Sequence, residues 1–165
     1  MGNDLNDELR LLEIIAMNEK AENAVAAAVA ATAATGAIPI PFADMPVLIA
    51  EQVTLMATIC GIYGINIEKD GLKMLATTAI GAGGAAVVGK TLVSNLLKFV
   101  PGAGTVAGAI VSGGTAGVVT LAMGKAFIEV CKMVKLGRLS EAEMLSSTGT
   151  HIMKEKFTEQ MKWNK

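Results

Sequence analysis

The residues with the clearest chemical pattern lie in the middle of the chain, where Gly84–Thr91 reads GAAVVGKT. This octapeptide satisfies GxxxxGK[ST], whose backbone amides cradle phosphates while the lysine and hydroxyl reach the γ-phosphate and Mg²⁺. Such a site also needs a later acid at a strand end to hold Mg²⁺, but no Asp follows Asp70. The middle residues AAVV are typical of a packed helix. We therefore reject a nucleotide site and interpret Lys90 as a helix lysine whose amine reaches water.

Other residue types that ligate metals or catalyse reactions are few and scattered. Cys60 and Cys131 lack CxxC spacing and sit in apolar stretches, which favours two buried thiols. His151 is the single histidine, so no Ser–His–Asp arrangement is credible. Asp44 and Glu51 could form a carboxylate pair, although Asp44 is better placed as a helix cap. The sequence predicts no catalytic residue, no metal site and no cofactor. We therefore expect a protein that is not an enzyme.

The composition favours tightly packed helices or a bilayer. Of 165 residues, 52% are hydrophobic and only 4% aromatic, with eighteen Gly and ten Met. This length predicts one domain, residues 1–165, able to bury a core without staples. The net charge of −1 excludes a basic nucleic-acid-binding field. The acidic opening MGNDLNDELR is unlike a secretory signal, so we expect a protein kept in the cytoplasm or at its membrane.

Start and stop signals divide the chain into five helical stretches. The first, from about residue 4 to Gly36, has an apolar face of Leu5, Leu9, Leu12 and Ala16, with Ile15 alongside. The second runs to Tyr63 and ends at Gly64. The third covers 71–98, with Asp70 as its cap. The fourth covers 104–135 and ends near Gly137.

The last stretch, about 140–163, has the strongest start signal. Ser140 and Glu143 form a capping box, and Leu139 with Met144 form its hydrophobic staple. An amphipathic helix follows, and we expect an interruption at Gly149. Turns between earlier helices are marked by Pro39, Pro41 and Asp44 and by Pro101 and Gly102. These patterns predict an all-α, compact helical bundle with a central glycine-rich helical hairpin.

Small residues repeat at every fourth position along the fourth stretch, in two neighbouring rows. The predicted packing ridge is Gly104, Gly108, Ser112, Gly113, Ala116, Gly117 and Gly124. Residues four apart share a helix face, and a face without bulk lets two backbones approach closely. Each Gly costs about 1 kcal/mol of helix stability against Ala, so close packing must compensate. We expect the turn at Pro101 to fold stretches three and four together, ridge against ridge.

Two uncharged runs are long enough to span a bilayer, residues 99–124 and 23–43. The first is glycine-laden and the second ends in prolines. The other apolar stretches carry Glu51 and Lys90 near their middles, and each charge would cost about 2.5–3.5 kcal/mol at a bilayer centre. We expect membrane association with the central hairpin as the inserted part, and Glu51 paired with Lys90 inside the bundle.

Several segments together resemble a known bacterial family. These are GAIPIPFAD at 36–44, IYG at 62–64, FVPGAG at 99–104 and GGTAGVVTLAMGKAF at 113–127. In order and spacing they resemble the domain-of-unknown-function family 697, YcjF-like helical domains often attached behind an Era-type GTPase domain. The likeness covers about residues 10–135. It implies an all-helical domain, frequently of membrane proteins, without catalytic residues. Unlike the fused members, we expect this chain to carry no GTPase domain of its own.

Three functions remain open from the sequence. The first is a membrane-associated, non-enzymatic module that anchors or assembles a partner, which the resemblance implies could be a separate GTPase. The second is a membrane-active oligomer that forms a pore or remodels lipid, and the third a soluble interaction bundle. We expect a protein partner or a homo-oligomer and no nucleic acid. The expected location is the bacterial cytoplasmic membrane, integral or peripheral, or otherwise the cytoplasm.

Overall fold

The computed structural model describes residues 2–35, 45–81 and 107–163, with side chains at 2–32, 46–81 and 117–162. These ranges contain six helices and no strand, so the all-α prediction is confirmed for them. In chain order they are α1 Gly2–Thr35, α2 Met45–Tyr63, α3 Lys69–Ala79, α4 Ala107–Lys135, α5 Glu141–Met144 and α6 Ser147–Trp163.

The predicted stop signals are confirmed at two helix ends. Gly64 follows α2 with a φ of 64°, and Gly137 follows α4 with a φ of 71°. Both lie in the left-handed region that glycine adopts without strain, and the chain turns there because the helix cannot continue. The N–H groups of Ile65 and Arg138 then bond back to carbonyls of Cys60 and Met133, each at 2.9 Å.

The start of the C-terminal region is also as predicted. Ser140 Oγ accepts a hydrogen bond from the Glu143 backbone N–H at 3.1 Å, and Glu143 Oε2 accepts one from the Ser140 N–H at 2.8 Å. This reciprocal pair is a complete capping box. Leu139 and Met144, the predicted staple residues, are both buried.

The expected interruption at Gly149 is wrong in position. The chain leaves helical geometry at 145–146, and Gly149 lies inside the first turns of α6. A Cβ on Gly149 would collide with the backbone carbonyl of Met144. Glycine is therefore needed there because α6 starts in backbone contact with the end of α5, and not because it ends a helix.

The predicted cap of the third helix is wrong as well. The residue preceding α3 is Glu68, which makes no side-chain capping bond, and Asp70 lies in the first turn. A carboxylate in the first turn still interacts favourably with the positive end of the helix dipole.

Helix α4 is the centre of the bundle and contacts α1, α2 and α6. From Val119 to Cys131 its side chains are largely buried, and they meet apolar residues of the other helices. The largest fully buried side chains include Tyr63 of α2, Phe127 of α4 and Phe157 of α6. The part of the uncharged run 99–124 whose side chains are described, 117–124, is thus mostly covered by protein.

Helix α1 is continuous, as predicted. It has apolar residues on two faces, one buried and one exposed. Ile14, Ala21 and Val25 face the core and are buried. The predicted apolar face is exposed, with Leu5, Leu9, Leu12 and Ile15 all more than 60% exposed. The periodicity identified a real apolar face, and the described helices leave it exposed.

Candidate functional site

Helix α4 packs against α1 at two glycines. Gly117 and Gly124 are both buried. A Cβ on Gly117 would lie 3.8 Å from Val29 Cγ1, and one on Gly124 would lie 2.5 Å from Val25 Cγ2. At Gly124 the side chain of Val25 therefore fills the space that a larger residue would need, whereas the distance at Gly117 is an ordinary van der Waals contact.

The remaining ridge residues are placed only in part. Gly108, Ser112, Gly113 and Ala116 lie on helix α4, and their side-chain surroundings are outside the described residues. Gly104, the turn at Pro101 and Gly102, and the segment with Pro39, Pro41 and Asp44 are also outside them, as is the predicted hairpin. The partner of Gly117 and Gly124 is α1, which the sequence did not predict.

A polar cluster lies within the apolar interior where α1, α2 and α4 meet. Gln52 Nε2 donates to Thr120 Oγ1 at 2.9 Å, and Thr120 Oγ1 lies 3.4 Å from Thr32 Oγ1. The Thr32 hydroxyl also donates to the Ala28 carbonyl at 2.6 Å. All three polar side chains are buried, Gln52 completely. The cluster fixes the register of the three helices, because a shift of one helix would leave a buried polar group without its hydrogen-bond partner.

One atom of this cluster stays unsatisfied among the described residues. Gln52 Oε1 is buried without a hydrogen-bond donor within that part of the chain. Burial of a carbonyl oxygen without a hydrogen bond is unfavourable, because no bond replaces the one lost to water. The pairing of Gln52 with Thr120 could not be predicted from the sequence, because the two residues lie on different helices. Glu51 is half-buried, and its predicted partner Lys90 lies outside the described residues.

Cys60 of α2 and Cys131 of α4 are free, buried thiols in hydrogen-bond contact. The hydrogen bond from Cys131 lowers the pKa of Cys60 and outweighs the opposite effect of burial. Burial, and then this hydrogen bond, raise the pKa of Cys131 well above its usual value. The burial agrees with the sequence expectation, whereas the contact between the two sulfurs was not predicted.

An open groove of about 940 Å³ runs between α2 and α3. The α2 wall consists of apolar residues and of threonines whose hydroxyls bond to carbonyls of the same helix. Helix α3 contributes Lys69, Asp70 and Lys73. The lining residues of α2 are Pro46, Ile49, Ala50, Val53, Thr54, Ala57 and Thr58. The groove therefore joins an apolar helix face to a charged rim.

The α2 wall belongs to a longer outward face of that helix. Val47, Ala50, Thr54, Thr58 and Gly61 are exposed along it. The Thr54 hydroxyl donates to the Ala50 carbonyl at 2.9 Å, and the Thr58 hydroxyl donates to the Thr54 carbonyl at 3.0 Å. Both hydroxyl donors are thus satisfied within the helix, and the face can lose water without leaving them unpaired.

Within the described residues one helix is long and apolar enough to cross a membrane. It is α2, over Pro46–Tyr63, with a mean hydropathy of 1.4 and one third of the window buried. Glu51 lies near the middle of this helix, and the two uncharged runs that are long enough to span a bilayer, 99–124 and 23–43, lie elsewhere. The core helix of a soluble protein passes the same test, so length and composition alone decide nothing here.

The other residues considered for catalysis or ligand binding are scattered or lie outside the described residues. His151 is exposed on α6. Among the described residues no three Cys, His, Asp or Glu side chains cluster in a way that could hold a metal ion. The phosphate-loop-like segment 84–91 lies outside those residues.

Across the described residues these features define an all-α helical bundle assembled around a central helix that packs on α1 at glycines. The chain belongs to the family described as domain of unknown function DUF697, whose sequence model matches residues 2–156. The match confirms the resemblance and extends beyond residues 10–135 at both ends. No curated protein and no solved structure matches the chain at a significant level.

Proposed function

We propose that this chain is a non-enzymatic, membrane-associated helical module that anchors or assembles a partner protein at the bacterial cytoplasmic membrane. The observation that carries the membrane part is the outward face of α2. The residues along it, from Val47 to Gly61, are exposed and uncharged. The hydroxyls of Thr54 and Thr58 both donate to carbonyls of the same helix. The free energy falls when lipid or another apolar surface replaces water at a face of this kind.

The neighbouring charges favour a position at the membrane surface over one across it. Lys69 and Lys73 line the rim opposite the apolar wall, where their amines can reach phosphate headgroups while their stems cover apolar surface. Glu51, half-buried beside the outward face, would be costly at a bilayer centre. Both features support an interfacial α2 whose other side remains packed on α4.

The partner part rests on the family relationship. The family that the sequence resembles includes members in which the helical domain is joined to a GTPase domain. A GTPase is therefore the partner class that we favour. We assign no reaction to this chain, and the buried cluster of Gln52, Thr120 and Thr32 joins helices to one another.

Flotation with lipid vesicles tests the membrane part. The purified full chain is mixed with vesicles of phosphatidylcholine and phosphatidylglycerol and spun through a density gradient. We expect the wild type to float with the lipid and Ala50→Glu to remain largely at the bottom, because a carboxylate on the outward face opposes burial. Ala142→Glu, which also places an acid at an exposed helical alanine, should float like the wild type. Wild-type protein that stays at the bottom would overturn the proposal.

A further inference from the structure

The N-terminal half of α1 carries a row of large apolar side chains on the side away from the bundle. Leu5, Leu9, Leu12 and Ala16 are spaced by four, three and four residues, and the three leucines are 61–63% exposed. Leu11 and Ile15 widen the row on one side, at 53% and 62% exposed. We call Leu5, Leu9, Leu11, Leu12 and Ile15 the α1 leucine face.

The opposite side of the same helix segment is already occupied. Ile14 is 7% exposed and belongs to the side that continues into Ala21 and Val25. The Arg10 guanidinium donates to the Lys135 carbonyl at 2.6 Å and so ties this segment to the last turn of α4. The rotation of α1 is therefore fixed, and the bundle cannot cover the leucine face by turning this helix.

A contiguous apolar face of this size on a soluble surface marks an interaction site more often than a scatter of single exposed leucines does. The spacing of four and three residues is the seam of a two-helix contact, in which apolar positions of each helix insert between those of the other. The geometry thus fits an amphipathic helix lying along α1.

The charges around the face decide the chemistry of that helix. Residues 2–16 contain Asp4, Asp7, Glu8 and Glu13, and their only base is Arg10, which is bound to the Lys135 carbonyl. On the helix, Glu8 and Glu13 flank the leucine row on its two sides. Carboxylates beside a helical seam select a partner with Lys or Arg at the facing positions.

A second copy of this chain is a poor occupant. Two leucine faces would bring Glu8 and Glu13 of both copies together, which like charges oppose. Helix α6 carries exposed lysines at 154 and 162, but its large apolar residues Met153, Phe157 and Met161 are buried. Within the described ranges the other large exposed apolar residues, Val47, Met74 and Leu136, stand on separate elements.

We infer that the α1 leucine face docks a basic amphipathic helix of another protein. The inference rests on the proposed function, since it supplies the surface by which the module would hold its partner. It is independent of the outward face of α2, so the two surfaces can be tested separately. An anionic membrane is disfavoured for this face because its carboxylates would meet lipid phosphates.

The probe is a synthetic helix of about three heptads with Leu at the seam and Lys beside it. Its matched control has Glu in place of every Lys. Binding of each labelled peptide to the full chain is measured by fluorescence anisotropy. We expect saturable binding of the basic peptide and at least tenfold weaker binding of the acidic one, a factor that corresponds to about 1.4 kcal/mol.

Two variants test whether the leucine face is the site. Leu9→Gln with Leu12→Gln should weaken binding of the basic peptide at least about tenfold, since two exposed anchors are lost. Leu136→Gln changes an exposed leucine elsewhere and should leave binding unchanged. Glu8→Lys with Glu13→Lys should reverse the preference in favour of the acidic peptide, and this arm is informative even if the glutamine variant is poorly folded.

Four results would overturn the inference. They are equal binding of both peptides, binding that ignores Leu9 and Leu12, a dimer that dissociates on Leu9→Gln, and vesicle flotation that depends on Leu9. Loss of peptide binding with intact flotation would remove this inference and leave the membrane proposal standing. Loss of flotation with intact peptide binding would do the reverse.

Discussion

Gly124 of α4 lies directly against Val25 of α1, so that a Cβ placed on the glycine would sit 2.5 Å from Val25 Cγ2 and 2.9 Å from Cγ1. Val25 is 1% exposed and β-branched, and its side chain has little freedom to move away. Leu55 of α2 closes the same space, with its Cδ2 at 3.3 Å from that position. Three helices therefore meet where one residue has no side chain.

Gly124→Ala should destabilise the protein. Overpacking of this kind costs about 1–3 kcal/mol, while alanine returns up to about 1 kcal/mol of helix propensity. We expect a net loss of about 1–2 kcal/mol in the free energy of unfolding, measured by chemical denaturation. Gly61→Ala is the matched control, because a Cβ there meets nothing within 4 Å, and it should be neutral or stabilising. Equal effects at both glycines would refute the contact.

The Gln52–Thr120 bond predicts an asymmetric pair of mutants. Thr120→Val leaves the Gln52 amide without its acceptor and should cost about 1–3 kcal/mol. Gln52→Met removes an amide whose oxygen is already unsatisfied in the described structure and should be much less harmful. In the Gln52→Met background Thr120→Val should cost less than in wild type. Additive losses in denaturant titrations would show that the two side chains do not interact.

Acid should weaken the start of α5 through Glu143. Hydrogen bonds with the backbone N–H and, second, the hydroxyl of Ser140 lower the pKa of this carboxyl below its usual value. The stabilisation it provides is therefore complete above the ordinary glutamate pKa and is lost as the pH falls through the lower, folded value.

An NMR titration of the Glu143 carboxyl measures this effect directly. The wild type should titrate below an ordinary glutamate, and Ser140→Ala should raise the pKa of Glu143 because the hydroxyl that bonds to its carboxylate is gone. Glu143→Gln keeps an oxygen acceptor and should remove the pH dependence of this cap. An unchanged pKa in Ser140→Ala would contradict the role of the box.

The two buried thiols should react in a fixed order. Only the thiolate is nucleophilic, and the pKa of Cys131 is raised by burial while that of Cys60 is lowered by the hydrogen bond from Cys131. Alkylation at about pH 8, followed by mass spectrometry, should modify Cys60 before Cys131, and both slowly until denaturant is added. Cys131 reacting as fast as Cys60 would contradict the assigned contact.

Local signals in the sequence predicted the elements well. Gly64 and Gly137 end helices because a left-handed residue is needed there, and the capping box at Ser140 needs only residues three apart. Such features depend on neighbours along the chain, so no knowledge of tertiary packing is required. Gly149 misled the prediction because its role is a backbone contact with Met144, which periodicity does not reveal.

Contacts between helices were harder to predict. Spacing of four placed Gly117 and Gly124 in two neighbouring rows of small residues, but it could not show that α1 would lie against them. The apolar row Leu5–Leu9–Leu12 has the same pattern as a core face, and only the structure shows that Ile14 faces the core. The pairing of Gln52 with Thr120 joins residues far apart in the chain.

A double-mutant cycle between Gly124 and Val25 tests the close helix contact most directly. Val25→Ala alone should cost stability through a cavity, and Gly124→Ala alone through overpacking. Combined, the new methyl group occupies space vacated by the valine, so the double variant should be more stable than the sum of the single losses by about 0.5–3 kcal/mol. Losses that simply add would contradict direct contact between α1 and α4 at these two residues.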